Sequence, residues 1–323
     1  MAFSIRPTEP VGEEVGRILR EQVGAALGLL RDPGERGLDV AVHEARKSCK
    51  RLRAVYRLVR PVLPVNRYQT LNRSVRDAAR EISGARDAAA LVAMFDDLLA
   101  AHGADPADEE LRVVRAALRD RAEAVEDDGG SEGAVRRAVE RLELVAELTD
   151  RTTLRGKGFD VVRKGLAATY DDGRRALGRF RADPSAEHSH EWRKSVKYTW
   201  HHVELLEGAA PSVLTPAARA LHDLADALGD AHNLVVLADL VSAHPARFGG
   251  PATAERVAKL AADSRADLEH RAVLLGRRIY AETPKAFARR MAAYWDAAAE
   301  GPELATGELA DVVKADQAGD RAR

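Results

Sequence analysis

Apolar residues recur at three- and four-residue spacing along almost the whole chain, and no segment sustains an alternation of apolar and polar positions. That periodicity puts one apolar stripe on each helix and turns it toward a core. It predicts helices over Glu13–Leu30, Asp39–Leu63, Asn66–Ile82, Arg86–Ala101, Ala107–Glu126 and Glu132–Leu148. A glycine-rich joint follows, Arg155-Gly156-Lys157-Gly158. Beyond it the pattern predicts helices over Phe159–Phe180, Ala186–Leu206, Pro216–Leu228, Asn233–Ala243, Ala252–Tyr280 and Pro284–Ala299. Proline and glycine supply the stops, for example at Pro33-Gly34, Pro64, Pro184, Pro211 and Gly249-Gly250-Pro251. Residues 300–323 are polar, hold no lasting stripe and read as a tail. The expected fold is all-α.

Composition agrees with this pattern. Hydrophobic residues make up 46% of the 323 positions, charged residues 31% and aromatics only 5%. Residues of this kind lose little freedom in a helix. One cysteine, Cys49, excludes an internal disulfide, and its place on an apolar helix side predicts a buried thiol. No apolar run is long enough to cross a membrane, and the first residues hold no signal-type stretch. The expectation is a soluble, cytoplasmic protein without membrane contact.

Net charge is −1, from 50 Lys and Arg against 51 Asp and Glu. The charges are sorted, however. Residues 43–60 carry seven cations and one anion, Glu44, whereas residues 96–128 carry eleven anions and four cations. Any anion-binding role must come from that sorting rather than from the total.

The chain also repeats itself. His43-Glu-Ala-Arg-Lys-Ser-Cys-Lys matches His190-Glu-Trp-Arg-Lys-Ser-Val-Lys at six of eight positions, 147 residues apart. Ser83-Gly-Ala-Arg-Asp87 aligns with Gly229-Asp-Ala-His-Asn233 at an offset of 146, and Arg17 falls opposite Lys164 at the first offset. These matches imply two halves of similar structure, 1–150 and 151–299.

On a helical wheel, His43, Arg46, Lys47, Lys50, Arg53 and Arg57 share one face, opposite Cys49, Leu52, Tyr56 and Val59. In the second copy His190, Arg193, Lys194, Lys197 and His201 share a face, opposite Trp192, Val196, Thr199, Val203 and Leu206. Trp200 and Glu204 interrupt this second stripe where Arg53 and Arg57 extend the first. A solvated face ordinarily mixes signs, because like charges four residues apart repel by a few tenths of a kcal/mol. Here cations stack without that mixing, in both copies.

The stripe from His43 to Arg57 spans about 21 Å at helical rise, too long for a single phosphate. Arginine offers phosphate a planar pair of donors and lysine a compact charge. Few aromatics interleave, so no platform for stacking bases is evident. The pattern suits a ligand that is all backbone charge, such as inorganic polyphosphate. The two leading histidines have two readings. Neighbouring cations would depress their protonation until a polyanion arrives, or they are neutral partners of an adjacent helix.

With its two His-x-x-Arg-Lys-x-x-Lys motifs at 43–50 and 190–197, the chain resembles the CHAD family, the conserved histidine α-helical domain. Arg86-Asp87, the run Leu228–Leu234, Tyr170 with Arg174-Arg175, and Arg17-Ile18 also fit, and the resemblance covers roughly residues 10–299. It implies two similar four-helix bundles whose basic helices line a shared positive surface or pore. It further implies binding of inorganic polyphosphate, in some members at polyphosphate granules. Other members are fused to a triphosphate-tunnel domain, for which this chain is expected to have no room. The resemblance places binding on His43, Arg46, Lys47, Lys50, Arg53, His190, Arg193, Lys194 and Lys197, with Arg17, Arg76, Arg80, Arg86, Arg174 and Arg175 as further candidates whose faces depend on packing. The chain departs from the pattern at Tyr198-Thr199-Trp200, and at His232 and Asn233, which stand in the places of Arg86 and Asp87.

Rival functions have less support. A phosphate-processing enzyme would need metal-holding carboxylates or a glycine-rich phosphate loop. No Gly-x-x-x-x-Gly-Lys-Ser/Thr segment exists, and Asp127-Asp128 and Asp171-Asp172 read as caps or solvated pairs. Ser48 and Ser195 have no base and carboxylate set around them. His188, His190, His201 and His202 invite a metal, but the surrounding cations would repel one, and no cofactor is expected. Nucleic acid remains the serious competitor, since phosphate contacts alone do not separate it from polyphosphate. The acidic 96–128 region is expected to lie away from the ligand face.

Overall fold

A computed structural model describes residues 3–82, 84–103, 105, 108–129 and 132–301. Among the described residues there are eleven α-helices and no strand, the all-α class that the periodicity predicts. In the first half they are α1 (Val11–Arg31), α2 (Gly37–Leu58), α3 (Val65–Glu81), α4 (Gly84–Ala101), α5 (Glu109–Gly129) and α6 (Glu132–Asp150). In the second they are α7 (Asp160–Ala182), α8 (Ala186–Leu205), α9 (Pro211–Ala243), α10 (Pro251–Ile279) and α11 (Pro284–Glu300). No described helix is long and apolar enough to cross a membrane.

The starts and stops follow local chemistry. α8 opens on Ser185, whose hydroxyl accepts from the His188 amide, and α11 opens on Thr283 with Pro284 in its first turn. α2 ends at Leu58, and a short 3-10 turn over Arg60–Val62 carries the chain to Pro64. One prediction fails. The helices expected over Pro216–Leu228 and Asn233–Ala243 are a single 33-residue α9, with Pro216 inside it. Gly229, which falls between the two expected helices, lies buried in that helix. Burial of Leu221, Leu224, Leu228, Leu234 and Leu237 on one continuous face outweighs the weak propensity at the glycine. In the first half the corresponding stretch is divided between α3 and α4.

Moved by 147 positions, α1 lands on α7, α2 on α8, α5 on α10 and α6 on α11, each within a few residues. The cores nevertheless draw on both halves. The larger one joins α1, α2, α3 and α6 to α7, α8, the start of α9 and α11, with Leu52, Tyr56, Leu142, Val162, Trp192 and Leu214 fully enclosed. The smaller one joins α4 and α5 to the end of α9 and the start of α10, through Phe95, Val114, Leu118, Leu237 and Val257. The apolar faces predicted for α2 and α8 are the buried ones, including Cys49, Leu52, Tyr56 and Val59, and Trp192, Val196, Thr199 and Val203.

This packing sets α2 against α8. The His202 ring nitrogen Nε2 lies 2.8 Å from the Ala54 carbonyl, and Arg51 reaches Glu204 at 2.7 Å. The N-terminal residues strap the junction: the Ile5 amide donates to Leu205, and the Ser4 carbonyl accepts from Arg17. With their apolar faces buried, the basic faces of α2 and α8 open on one side of the molecule.

Candidate functional site

A cavity of about 780 Å³ lies between α2, α8 and α9, with Ala90 and Leu91 of α4 at its edge. From α2 it is lined by His43, Glu44, Arg46, Lys47, Lys50 and Arg51, and from α8 by Arg193, Lys197, Trp200 and His201. The wall from α9 holds His222, Asp226, His232, Asn233 and Val236. Two faces 147 residues apart in sequence therefore become walls of one space.

The electrostatics register that convergence. The Lys197 ammonium is pulled down to about 7, first by burial and then by Arg193, Lys50 and Arg46, while Asp226 acts the other way. Lys50 and Arg46 belong to α2 and line the same cavity as Lys197, so the two basic helices face each other across it. His232 is held below its usual range by burial, then by His190 and Arg193. Its ring centroid lies 5.2 Å from that of His190. His190 is also lowered, by partial shielding and then by Lys194. His201 is lowered by burial, although its Nδ1 lies 2.9 Å from Glu204.

The predicted residues divide. His43, Arg46, Lys47, Lys50, Arg193, Lys197 and His201 line the cavity. His190 is not among the lining residues and sets its ring beside that of His232, which is, and Lys194 turns to Glu191 at 2.8 Å. The stripe on α2 does not run on as one 21 Å track. Arg53 donates to Asn72 at 3.1 Å, and Arg57 meets Asp172 at 2.5 Å with its guanidinium over the Tyr198 ring. The wheel treats α2 as isolated, whereas α3, α7 and α8 offer these two arginines nearer partners. Arg17 is held by Glu14 and Glu21, Arg76 by Asp77, and Arg175 by Asp171 and Asp172. Arg80 and Arg174 are exposed and are not among the lining residues. The Arg86 side chain lies outside the described residues.

Other lining residues were not predicted as site residues. Arg51 falls off the wheel's stripe, yet its long side chain reaches the cavity, packed over the Phe3 ring and paired with Glu204. Glu204 does not simply interrupt the second stripe; it holds both Arg51 and His201. Trp200 brings an aromatic ring to a wall where none was expected. That ring stacks on His201 at 4.5 Å and meets the edge of His222 at 4.4 Å. The α9 wall left a trace in the sequence, because His232 and Asn233 align with Arg86 and Asp87. His222 and Asp226 share the four-residue spacing that brings Nδ1 and Oδ2 to 2.9 Å.

Among the described acids of 96–128, none lines the cavity. Asp96 pairs with Arg115 at 2.6 Å and Asp108 with Arg256 at 2.7 Å, which tie the outer α4–α5 lobe together and to α10. Cys49 is enclosed, and burial pushes its thiol up to about 12.

The sequence profile of the CHAD domain matches residues 17–242. Among solved structures, the chain is similar to PptA from Streptomyces chartreusis, with a TM-score of 0.58 and 19% identity over 85% of this chain and 100% of that one. It also matches the CHAD domain from the plant Ricinus communis at 17% identity and a TM-score of 0.47, covering 91% of this chain and 95% of that one. None of the curated proteins compared matches it. The CHAD family is associated with polyphosphate binding and with triphosphate-tunnel partners. With the profile spanning both His-x-x-Arg-Lys-x-x-Lys helices and most of the described chain, this protein belongs to the CHAD-domain family.

Proposed function

We propose that the chain binds inorganic polyphosphate, without processing it, in the cavity between α2, α8 and α9. The observation that carries this reading is the convergence of Arg46, Lys50, Arg193 and Lys197 from two helices on one space. A cavity of about 780 Å³ has room for several phosphates rather than one. Cations held this close cost stability when the space holds only water, and a chain of phosphates relieves that cost at every residue. The non-catalytic part rests on the donor set. Among the described residues, the acids of the wall are Glu44, engaged with Lys47 at 2.9 Å, and Asp226, engaged with His222. Neither is placed as one of a carboxylate pair for phosphoryl transfer. The same reading takes 1–150 and 151–299 as pseudo-repeated bundles that each contribute one basic helix, and it would bring the chain to polyphosphate granules in the cytoplasm.

Polyphosphate is favoured over nucleic acid by Trp200, whose ring is already engaged by two imidazoles rather than offered to a base. Binding of labelled polyphosphate tests the proposal. Arg46→Ala should weaken it by about ten- to a hundredfold, the range expected for a charged hydrogen-bonding group. Arg57→Ala should change it by less than about threefold, because that guanidinium is committed to Asp172. The triple variant Arg46→Glu, Lys50→Glu, Arg193→Glu should retain helicity and lose binding. Unchanged binding in the folded triple variant, or displacement by RNA or DNA at equal phosphate concentration, would overturn the reading.

A further inference from the structure

Each of the three helices around the cavity brings an amine or an imidazole to its wall. Lys197 stands on α8, His222 and His232 on α9, and His43 on α2. Lys197 faces Arg193 on its own helix, Lys50 and Arg46 across from α2, and Asp226 from α9. His232 faces His190 and Arg193 of α8, with the rings 5.2 Å apart. The remaining ionisable groups of the walls are Glu44, Lys47 and Arg51 of α2, and His201, whose Nδ1 meets Glu204. The side chains of Arg86 and Asp87 lie outside the described residues.

Resting on the polyphosphate reading of this cavity, we propose that ligand capture takes up protons, at Lys197 and at His232, so that the chain holds a polyanion more tightly as pH falls. The cause is the geometry. Both groups are partly buried and look at other cations, so the ligand-free cavity disfavours their charged forms. The Lys197 ammonium sits at about 7 there, and His232 is below its ordinary range. A phosphate chain between the walls reverses both causes. It supplies the charge-assisted contacts that burial removed, and it offsets the field of Arg46, Lys50 and Arg193. Each group then holds its proton at a higher pH than before. The internal phosphates of the polymer are strong acids, so their charge is constant over this range.

The sign follows from linkage. A group that is neutral in the free protein and charged in the complex adds one proton on binding, and affinity then changes about tenfold per pH unit. For Lys197 the window opens above about 7, where the free amine has lost its proton. For His232 it lies lower, around and below the usual histidine value of about 6.5.

Isothermal titration of the full chain with polyphosphate of defined length decides the matter, run in two buffers of different ionisation enthalpy. At about pH 8 the expected result is uptake approaching one proton per site. Lys197→Arg is charged at every such pH and should lower that uptake. His232→Gln should lower the uptake at about pH 6. Equal heats in the two buffers for the wild-type chain would overturn the inference without any variant. Undiminished uptake at the higher pH in Lys197→Arg would overturn it as well. Wild-type protein that binds no polyphosphate at either pH would sink the polyphosphate reading, and this inference with it.

Discussion

His201 and His202 are adjacent, yet their surroundings give them opposite tasks. His201 reaches the cavity and meets Glu204. His202 is fully enclosed, with its Nε2 against the Ala54 carbonyl of the other half. Burial, ahead of every other cause, pulls His202 down to about 3. In the unfolded chain the same ring protonates near 6.5. The folded state therefore binds fewer protons below that value, and stability falls as pH drops from about 6.5 toward about 3. At pH 5 the loss from this residue alone should be about 2 kcal/mol relative to pH 7. Urea unfolding at the two pH values measures it, and His202→Gln should flatten the dependence. An equally steep dependence in that variant would assign the effect to other groups. Sequence shows two neighbouring histidines; which one reaches the cavity and which one bridges the halves depends on the partner helix.

At the scale of elements, the site depends on how closely α2 approaches α7 and α8. Gly165 of α7 lies directly against the backbone at the end of α2. A Cβ there would meet the Leu58 carbonyl oxygen at 1.7 Å, so the helices cannot keep their separation with any larger residue. Gly165→Ala should cost about 3 kcal/mol or more, as overpacking against backbone does. Gly178 is the contrast on the same helix: it is exposed and a Cβ there has nothing within 4 Å. Gly178→Ala should instead stabilise by about 0.5–1 kcal/mol, through helix propensity alone. Thermal or denaturant unfolding of the two variants reads the difference, and equal effects would refute the close crossing. The pattern of apolar positions found these helices and the faces they bury. It divided α9 wrongly, because propensity at Gly229 weighs little against a face buried along 33 residues.

For the whole molecule, the near-zero net charge conceals a division of labour. Acids of the α4–α5 region pair with arginines in the outer lobe, for instance Asp96 with Arg115 and Asp108 with Arg256. Basic residues of α2 and α8 are gathered at the cavity instead. Binding should therefore be strongly ionic despite the neutral total. With about six phosphate contacts, one for each Lys or Arg that lines the cavity, affinity should fall on the order of a thousandfold between 50 and 200 mM salt. A salt series of binding titrations measures the slope, and affinity independent of salt would exclude the charged cavity as the site.

Helical class, the apolar faces of α2 and α8, and the doubled basic motif follow from residue type and spacing, which are local. Those features also carried the family resemblance. Tertiary structure decided which of the cations cooperate. Arg53 and Arg57 lie on the same stripe as Lys50, but α3 and α7 supply them with Asn72 and Asp172 at shorter range than the cavity. Arg51, His222, Asp226 and His232 join the cavity because α2, α8 and α9 pack around it. A helical wheel describes one helix in water, whereas charges act across whatever separation the packing of several helices imposes.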